Sequence, residues 1–507
     1  MGALLLKRLK YTNSSVKGSR CKVYIHAILL FSYMFLVSRA QGRNYYLNSI
    51  SGSDSNTGRS IASPWRSLQM LSDLELLPGD SILFARGSAF NGGVKFQGSG
   101  NSLHPIVITC YDYGKVNSLI PRHNLDSLFR KYGAGAKPAF SNPQWSDHNG
   151  NVLQIKGSYY KIEQLYFHDN ARPPGSDTKN KNVQKMGAVY LALDANYNTI
   201  SHCEFFHTPV AIKVKGSYNL IENNYFHDAN KPLAQSWGPI AIMIVKPHNE
   251  ICYNRIENYG SYGGPYGSDG GVVELDGVDD DFVGRDILIH HNISINNQGF
   301  LELAGRNVDS VLVAYNLSDD MNQFIGGGSM KNVTVVHNTV IRTREPNVDR
   351  YIFWTFQPDA TFMTIRNNIF VIAADISVFG VDQVSATTSS GISKLQSEHA
   401  AGVFIKKKHV RSKLTGQVHD HNLYFSPGNP YPIGSSKGEG ELIADPQFID
   451  PTNGNFRLKP TSIAIKRGTE IPVENSKSDP AALKLRFDLD GHAVRQNGPS
   501  CIGAYEL

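Results

Sequence analysis

Six asparagines frame this sequence. Asn224, Asn254, Asn292, Asn316, Asn338 and Asn368 are separated by 30, 38, 24, 22 and 30 residues. Around them a unit repeats: an apolar alternating strand, a polar turn, then a second short strand carrying the Asn and an apolar pair. VAIKVKGSYNLIENNYFHD (210–228), IAIMIVKPHNEICYNRIEN (240–258) and LELAGRNVDSVLVAYNLSDD (301–320) are examples. Period-2 strands rich in Val and Ile, broken by Gly, Asn and Asp, argue against helices. One such coil cannot bury its inner face alone. Coils stacked about 4.8 Å apart pair every strand with the next. A period varying from twenty-odd to forty residues fits coils of a parallel β-helix with loops of unequal length, and an Asn at the same place in each coil can join its neighbours as a ladder.

The expected fold is therefore all-β, a right-handed parallel β-helix forming one domain over residues 41–507. Its coils are expected from about residue 85 to 470. Residues 41–84 read as an N-terminal cap with a short helix at SPWRSLQML. Residues 383–416, with Lys406, Lys407 and Lys408, read as a polar excursion, and residues 440–507 as C-terminal coils and cap.

The first forty residues read differently. Basic residues precede a 15-residue apolar run from Val23 to Val37, and Ser38-Arg39-Ala40 follows. The run is shorter than the roughly 20 residues a membrane span needs, so it is expected to be a secretory signal peptide cleaved after Ala40. The product is expected to be secreted or periplasmic, off the membrane and monomeric. The whole chain has 50 Lys+Arg against 44 Asp+Glu, but seven basic and no acidic residues lie in residues 1–40. What remains is 43 against 44, which gives no reason to expect nucleic acid as a partner. Cys110, Cys203, Cys252 and Cys501 show no metal-ligand spacing; Cys203 and Cys252 read as buried core residues.

Strand alternation predicts one outward column. With Val210, Ile212 and Val214 inward, Lys213 points out. The same logic puts Met243, Glu274 with Asp276, and Glu302 outside, so that Lys213, Met243, Glu274 and Glu302 align on successive coils. Charges stacked about 5 Å apart are unfavourable unless something binds there. The insertion at 257–271 enters beside the column; its Tyr259, Tyr262 and Tyr266 are candidates for stacking on sugar rings, and Asp269 ends it. Lys246 and His248 begin a neighbouring turn, and His207 and His227 end two earlier coils. His290 and His291 beside Asn292 read as structural.

The segments GSDSNTG…PW…PGD near the N-terminus, DPQFIDPTNGNFRLKP and the closing IGAYEL resemble those of the pectate-lyase-like right-handed β-helix superfamily, in its secreted bacterial branch. That resemblance implies the fold and a glycan substrate, and leaves the activity open among lyases, hydrolases and epimerases. The stretch GVVELDG…DILIHHNISINNQGFLELAGR is similar to the core of the alginate lyase and chondroitinase B family. The likeness implies a calcium ligand at Glu274, a lysine base and an arginine acid at Arg306, although Val272 stands where a second acidic ligand would be and Ala304 where the arginine would.

The leading expectation is thus a carbon–oxygen lyase acting by β-elimination on a uronic-acid-containing poly- or oligosaccharide, by chain cleavage or dehydration of a terminal uronate. Such chemistry needs the carboxylate neutralised, a base for the C5 proton and an acid for O4. Lys213, Lys246, His227 and His248 are candidate bases, and Glu274, Asp276 and Glu302 are candidate carboxylates, with Glu274 and Asp276 as possible ligands of a divalent cation such as Ca2+. The alternatives are a glycoside hydrolase using Glu274 and Glu302, whose carboxylates would stand roughly 5 Å apart as in a retaining pair, and a non-catalytic glycan-binding β-helix.

Overall fold

A computed structural model describes residues 42–111, 137–142, 151–170, 187–230, 238–264, 267–276, 283–305, 308–345, 350–355, 361–382, 409–410, 416–430, 432–433, 436–470, 485–495 and 498–507; for residues 262–264, 267–268, 381–382 and 409–410 it describes the backbone alone. The chain divides into the units Met1–Gly42 and Arg43–Leu507; the second is described below. The expected export segment, the lysines of the polar excursion, Tyr266 and Arg306 lie outside the described residues. Among the described residues no helix is long and apolar enough to cross a membrane.

Three sheets run along this unit, of 11, 12 and 12 strands, parallel except for His409–Val410, which joins the edge of the first antiparallel to Ser377–Asp382. Each coil gives one strand to each sheet in turn. Val210–Val214 belongs to the first, Leu220–Glu222 to the second and Tyr225–His227 to the third. This is a parallel β-helix, as the repeats require. Sheet 2 already starts with Asn44–Leu47, paired in parallel with Ser81–Ala85, so the coil begins inside the expected cap segment. The short helix expected there is a 3-10 turn at Leu68–Leu71.

Inward residues of all three sheets form one core. Within it Phe140, Phe167, Phe205 and Phe226 stack face to face with centroids 5.6, 5.0 and 4.7 Å apart. The turn between sheets 2 and 3 carries the expected asparagine ladder. The backbone N–H of each Asn donates to the carboxamide oxygen of the Asn one coil on, from Asn224 through Asn254, Asn292, Asn316, Asn338 and Asn368 to Asn422, at 2.9–3.0 Å. Glu441 ends the ladder by accepting from Asn422 and the Tyr424 hydroxyl.

Two further ladders were not read from sequence. Asn198, Asn219 and Asn249 link the turn between sheets 1 and 2 in the same way; the recurring Asn-x-Ile text of YNTI, YNLI and HNEI was the available signal. After sheet 3, Asn297 accepts from Tyr259 N–H and donates to Asp320. The carboxylate of Asp320 also accepts from Ser294 and Ser318 at 2.5 Å and lies 3.9 Å from the fully buried Arg342 guanidinium.

The C-terminal segment departs from the expected coils and cap. After Leu442–Ile443 the chain makes an antiparallel hairpin, Phe448–Asp450 with Asn455–Leu458, and then doubles back. Leu489, Cys501, Ile502 and Tyr505 cover a second apolar cluster on the outward face of sheet 3, over Leu317, Ile341, Ile369 and Leu423. Ala504 N–H donates to Thr339 Oγ1, and the carbonyl of Phe487 lies 2.9 Å from His291 Nε2. Cys252, beside inward Ile251 on sheet 2, is 1 % exposed yet does not belong to the core between the sheets, where Cys203 does lie.

Candidate active site

The outward column exists in the predicted register. Strand pairing sets Tyr190 beside Lys213, then Met243, Glu274, Glu302, Gly326 and Trp354, one coil apart each. Two glycines start the strand that holds Glu274. Gly270 has φ +83°, and a Cβ there would sit 2.2 Å from the carbonyl oxygen of Pro239; Gly271 has φ +140°, and its Cβ would meet the Gly299 carbonyl at 2.4 Å. A side chain at either would push the strand off the neighbouring coil.

The column is far less wet than alternation alone suggests. Lys213 is 1 % exposed and its ammonium lies 2.8 Å from the Met243 sulfur; Met243 is fully buried. Glu274 is 8 % exposed. Burial, and after it the neighbouring charges of Glu302, Asp276 and Asp269, hold its carboxyl well above the usual carboxylate range; Lys213 opposes them more weakly. Glu274 therefore keeps its proton where an ordinary glutamate has lost it. Glu302, directly beside it, is half-exposed. Glu274, Glu302, Gly270, Gly271, Gly299 and Gln323 line one depression, and the Gln323 carboxamide oxygen is buried without a hydrogen-bond partner among the described residues.

The other expected residues stand apart from this centre. Tyr259 is 1 % exposed, packs edge-on against Phe226 and donates its hydroxyl to the Thr208 carbonyl at 2.9 Å, so it braces the turn and cannot offer a face to a sugar. Tyr259→Phe should cost about 1 kcal/mol in chemical denaturation and leave turnover unchanged. The backbone of Tyr262 forms the hairpin Ser261–Gly264 with Gly267–Asp269, which brings Asp269 to the column. His227 lies on sheet 3, held between Glu204 at 3.3 Å and Asp228 at 2.8 Å. His248 has φ +61° and ends a stack of turn aromatics, Tyr159, Tyr197, Tyr218 and His248, with centroids 4.6–5.0 Å apart. His207, at φ +50°, is another left-handed turn residue, a conformation in which His, Asn and Asp are enriched. These histidines recur because the turns need them. Lys246 is half-buried in the same turn as His248.

Trp354 was missed. Its indole lies over Gly326, whose Cβ would fall 2.1 Å from the indole nitrogen, one coil beyond Glu302. Alternation along YIFWT places it outward, and the glycine that makes room for it was the readable signal. For a metal, the column offers the hard oxygens of its carboxylates, the donor type that suits Ca2+, beside the soft Met243 sulfur. Among the described residues, no three of these carboxylates bring their oxygens within 4.8 Å of one another.

No family model matches the chain. Over 83 residues, 15 % of this chain, it is 40 % identical to a lacto-N-biosidase of Bifidobacterium longum subsp. longum, and the match spans 5 % of that protein's length. Among solved structures it is similar to pectate lyase Pel9A, with 14 % identity, 92 % of this chain and 97 % of that one covered, and TM-score 0.49. XylC in complex with xylose gives 12 %, 92 %, 98 % and 0.48; a GH136 lacto-N-biosidase from Eubacterium ramulus gives 14 %, 82 %, 69 % and 0.38. At these identities the likeness is one of fold alone, and the parallel β-helix is read from this chain's own strand pairing.

Proposed function

We propose that this chain is a carbohydrate-active enzyme that hydrolyses a glycosidic bond, with Glu274 as the acid and Glu302 as its carboxylate partner. The observation that carries the reading is the buried Glu274, its carboxyl held above the usual carboxylate range, set in register beside Glu302. A carboxyl group kept from ionising beside a second carboxyl group is the working pair of a glycosidase. Glu274 passes its proton to the glycosidic oxygen as the C–O bond breaks. Glu302 attacks the anomeric carbon, and water then displaces it while Glu274 takes the proton from that water. Neighbouring strands stand about 4.8 Å apart, the short separation of a retaining pair, so the first product should keep the anomeric configuration of the substrate. Trp354 and Tyr190, at the two ends of the column, provide aromatic surface for flanking sugars. The carboxylates of Glu302, Asp276 and Asp269 around Glu274 disfavour an anionic ring, so the substrate on this reading is a neutral glycan. Export of the chain, expected from its first forty residues, would put the enzyme where such polymers are met.

β-Elimination from a uronate is the second reading, favoured by the Lys213 ammonium acting on Glu274 across Met243. One assay separates the two. Purified protein is incubated with neutral and uronic-acid oligosaccharides while new reducing ends and the ultraviolet absorbance of a C4–C5 double bond are followed together. Hydrolysis yields reducing ends without absorbance. Absorbance growing with the cleavage, and lost with a chelator, overturns hydrolysis in favour of cation-assisted elimination.

A further inference from the structure

A second cluster of reactive side chains lies on sheet 2, away from the column. Glu250 and Cys252 alternate with inward Ile251 on one strand, and His290 alternates with inward Ile289 on the next. The register sets Cys252 directly beside His290. His290 is fully buried and Cys252 is 1 % exposed, while the Glu250 side chain keeps 20 % of its surface. One donor atom from each residue lies within 4.8 Å of the other two.

We infer that Glu250, Cys252 and His290 form a binding site for a divalent transition-metal ion of the zinc class, clamped between two adjacent coils.

The first argument is the spacing. His290 Nε2 lies 3.1 Å from Glu250 Oε1, and Cys252 Sγ lies 3.6 Å from the same oxygen. A tetrahedral ion with bonds of about 2.0–2.1 Å to nitrogen and oxygen and about 2.3 Å to sulfur separates its ligands by roughly 3.3 Å for N···O and roughly 3.6 Å for S···O. Thiolate, imidazole and carboxylate together are a borderline-soft set that suits zinc and disfavours Ca2+ or Mg2+.

The second argument is the way the imidazole is held. His290 Nε2 faces the Glu250 carboxylate, while its Nδ1 lies 2.7 Å from His291 Nδ1. The Phe487 carbonyl can only accept, so His291 Nε2, 2.9 Å away, carries a hydrogen and ties His291 to the C-terminal segment. A ligating histidine whose far ring N–H is held by a second partner is the arrangement that orients imidazole on a metal; here His291 and, through it, the C-terminal segment supply that hold. Glu222, beside Cys252 in register on the preceding coil, adds another anionic group to the same face.

The test uses the full chain, stripped with a chelator and titrated with Co2+ and with Zn2+. One equivalent of Co2+ should bind and give a thiolate-to-cobalt charge-transfer band, and Zn2+ should displace it and raise the melting temperature. Cys252→Ser should remove the band, and His290→Gln should weaken Zn2+ binding by about 10–100-fold. Glycan turnover by the Cys252→Ser protein should stay at the wild-type level, because the cluster lies on a different sheet from Glu274. Failure of the stripped wild-type chain to bind stoichiometric Co2+, or a charge-transfer band that survives in Cys252→Ser, would overturn the proposal. The wild-type titration decides even if a variant fails to fold.

Discussion

Glu274→Gln should lower glycan turnover by on the order of 10²-fold or more while leaving the melting temperature at neutral pH unchanged or raised. Burial, and after it the charges of Glu302, Asp276 and Asp269, oppose ionisation of the carboxyl in the folded chain. Its folded pKa therefore lies above its unfolded one. Between the two values the unfolded chain binds fewer protons, so stability falls as pH rises through that window. A glutamine has the same shape and cannot ionise, which removes this slope, but it cannot deliver a proton. The wild-type rate should fall on the alkaline side as Glu274 ionises, at a pH above the ordinary carboxylate range, and in Glu274→Gln that limb should vanish. Parallel melting and pH–rate profiles check this. An unchanged rate would move the chemistry away from the column.

Asn292→Ala should cost about 2–4 kcal/mol of stability, read as a shift in the urea midpoint. The Asn292 carboxamide donates to the carbonyls of Ile251 and His290 and to Asn316, and it accepts from both the backbone and the side chain of Asn254. All of these groups are buried. Truncation leaves the Asn254 N–H without its acceptor in a place water does not reach, and such an orphan is the expensive part of a lost hydrogen bond. Asn292→Asp should be worse, since it turns a donor into an acceptor facing two carbonyls. A cost near zero would mean that a rung of the ladder can be replaced by solvent.

Why some of this was readable follows from what alternation encodes. Apolar residues at every second position state which side chains face the core, so the parallel coils, the register of Lys213, Met243, Glu274 and Glu302 and the asparagine ladder were legible, while the reading of two strands per coil missed the third sheet. Alternation does not state what lies over an outward residue. Lys213 and Met243 were expected on the outside and are buried, and Cys252 was taken for core but is buried outside the core between the sheets. Tyr259 looked like a ligand platform because its loop is rich in Gly and Tyr, but its hydroxyl satisfies a turn carbonyl. His207 and His248 drew attention by their places at coil ends and turns, and left-handed turn geometry explains both. Trp354 escaped notice because its role depends on the absence of a side chain one coil away.

The returning C-terminal segment changes the order in which this molecule can become complete. A solenoid is ordinarily a near-neighbour object whose coils can settle as they leave the ribosome. Here the Phe487 contact to His291 spans 196 residues and the Ala504 contact to Thr339 spans 165. At 5–20 residues per second, His291 waits about 10–40 s for its partner. During that interval Leu317, Ile341 and Ile369 stand uncovered on the outside of a growing β-stack. The nascent chain is thus most prone to associate with other chains just before residues 485–507 are made, and deleting them would make that transient state permanent.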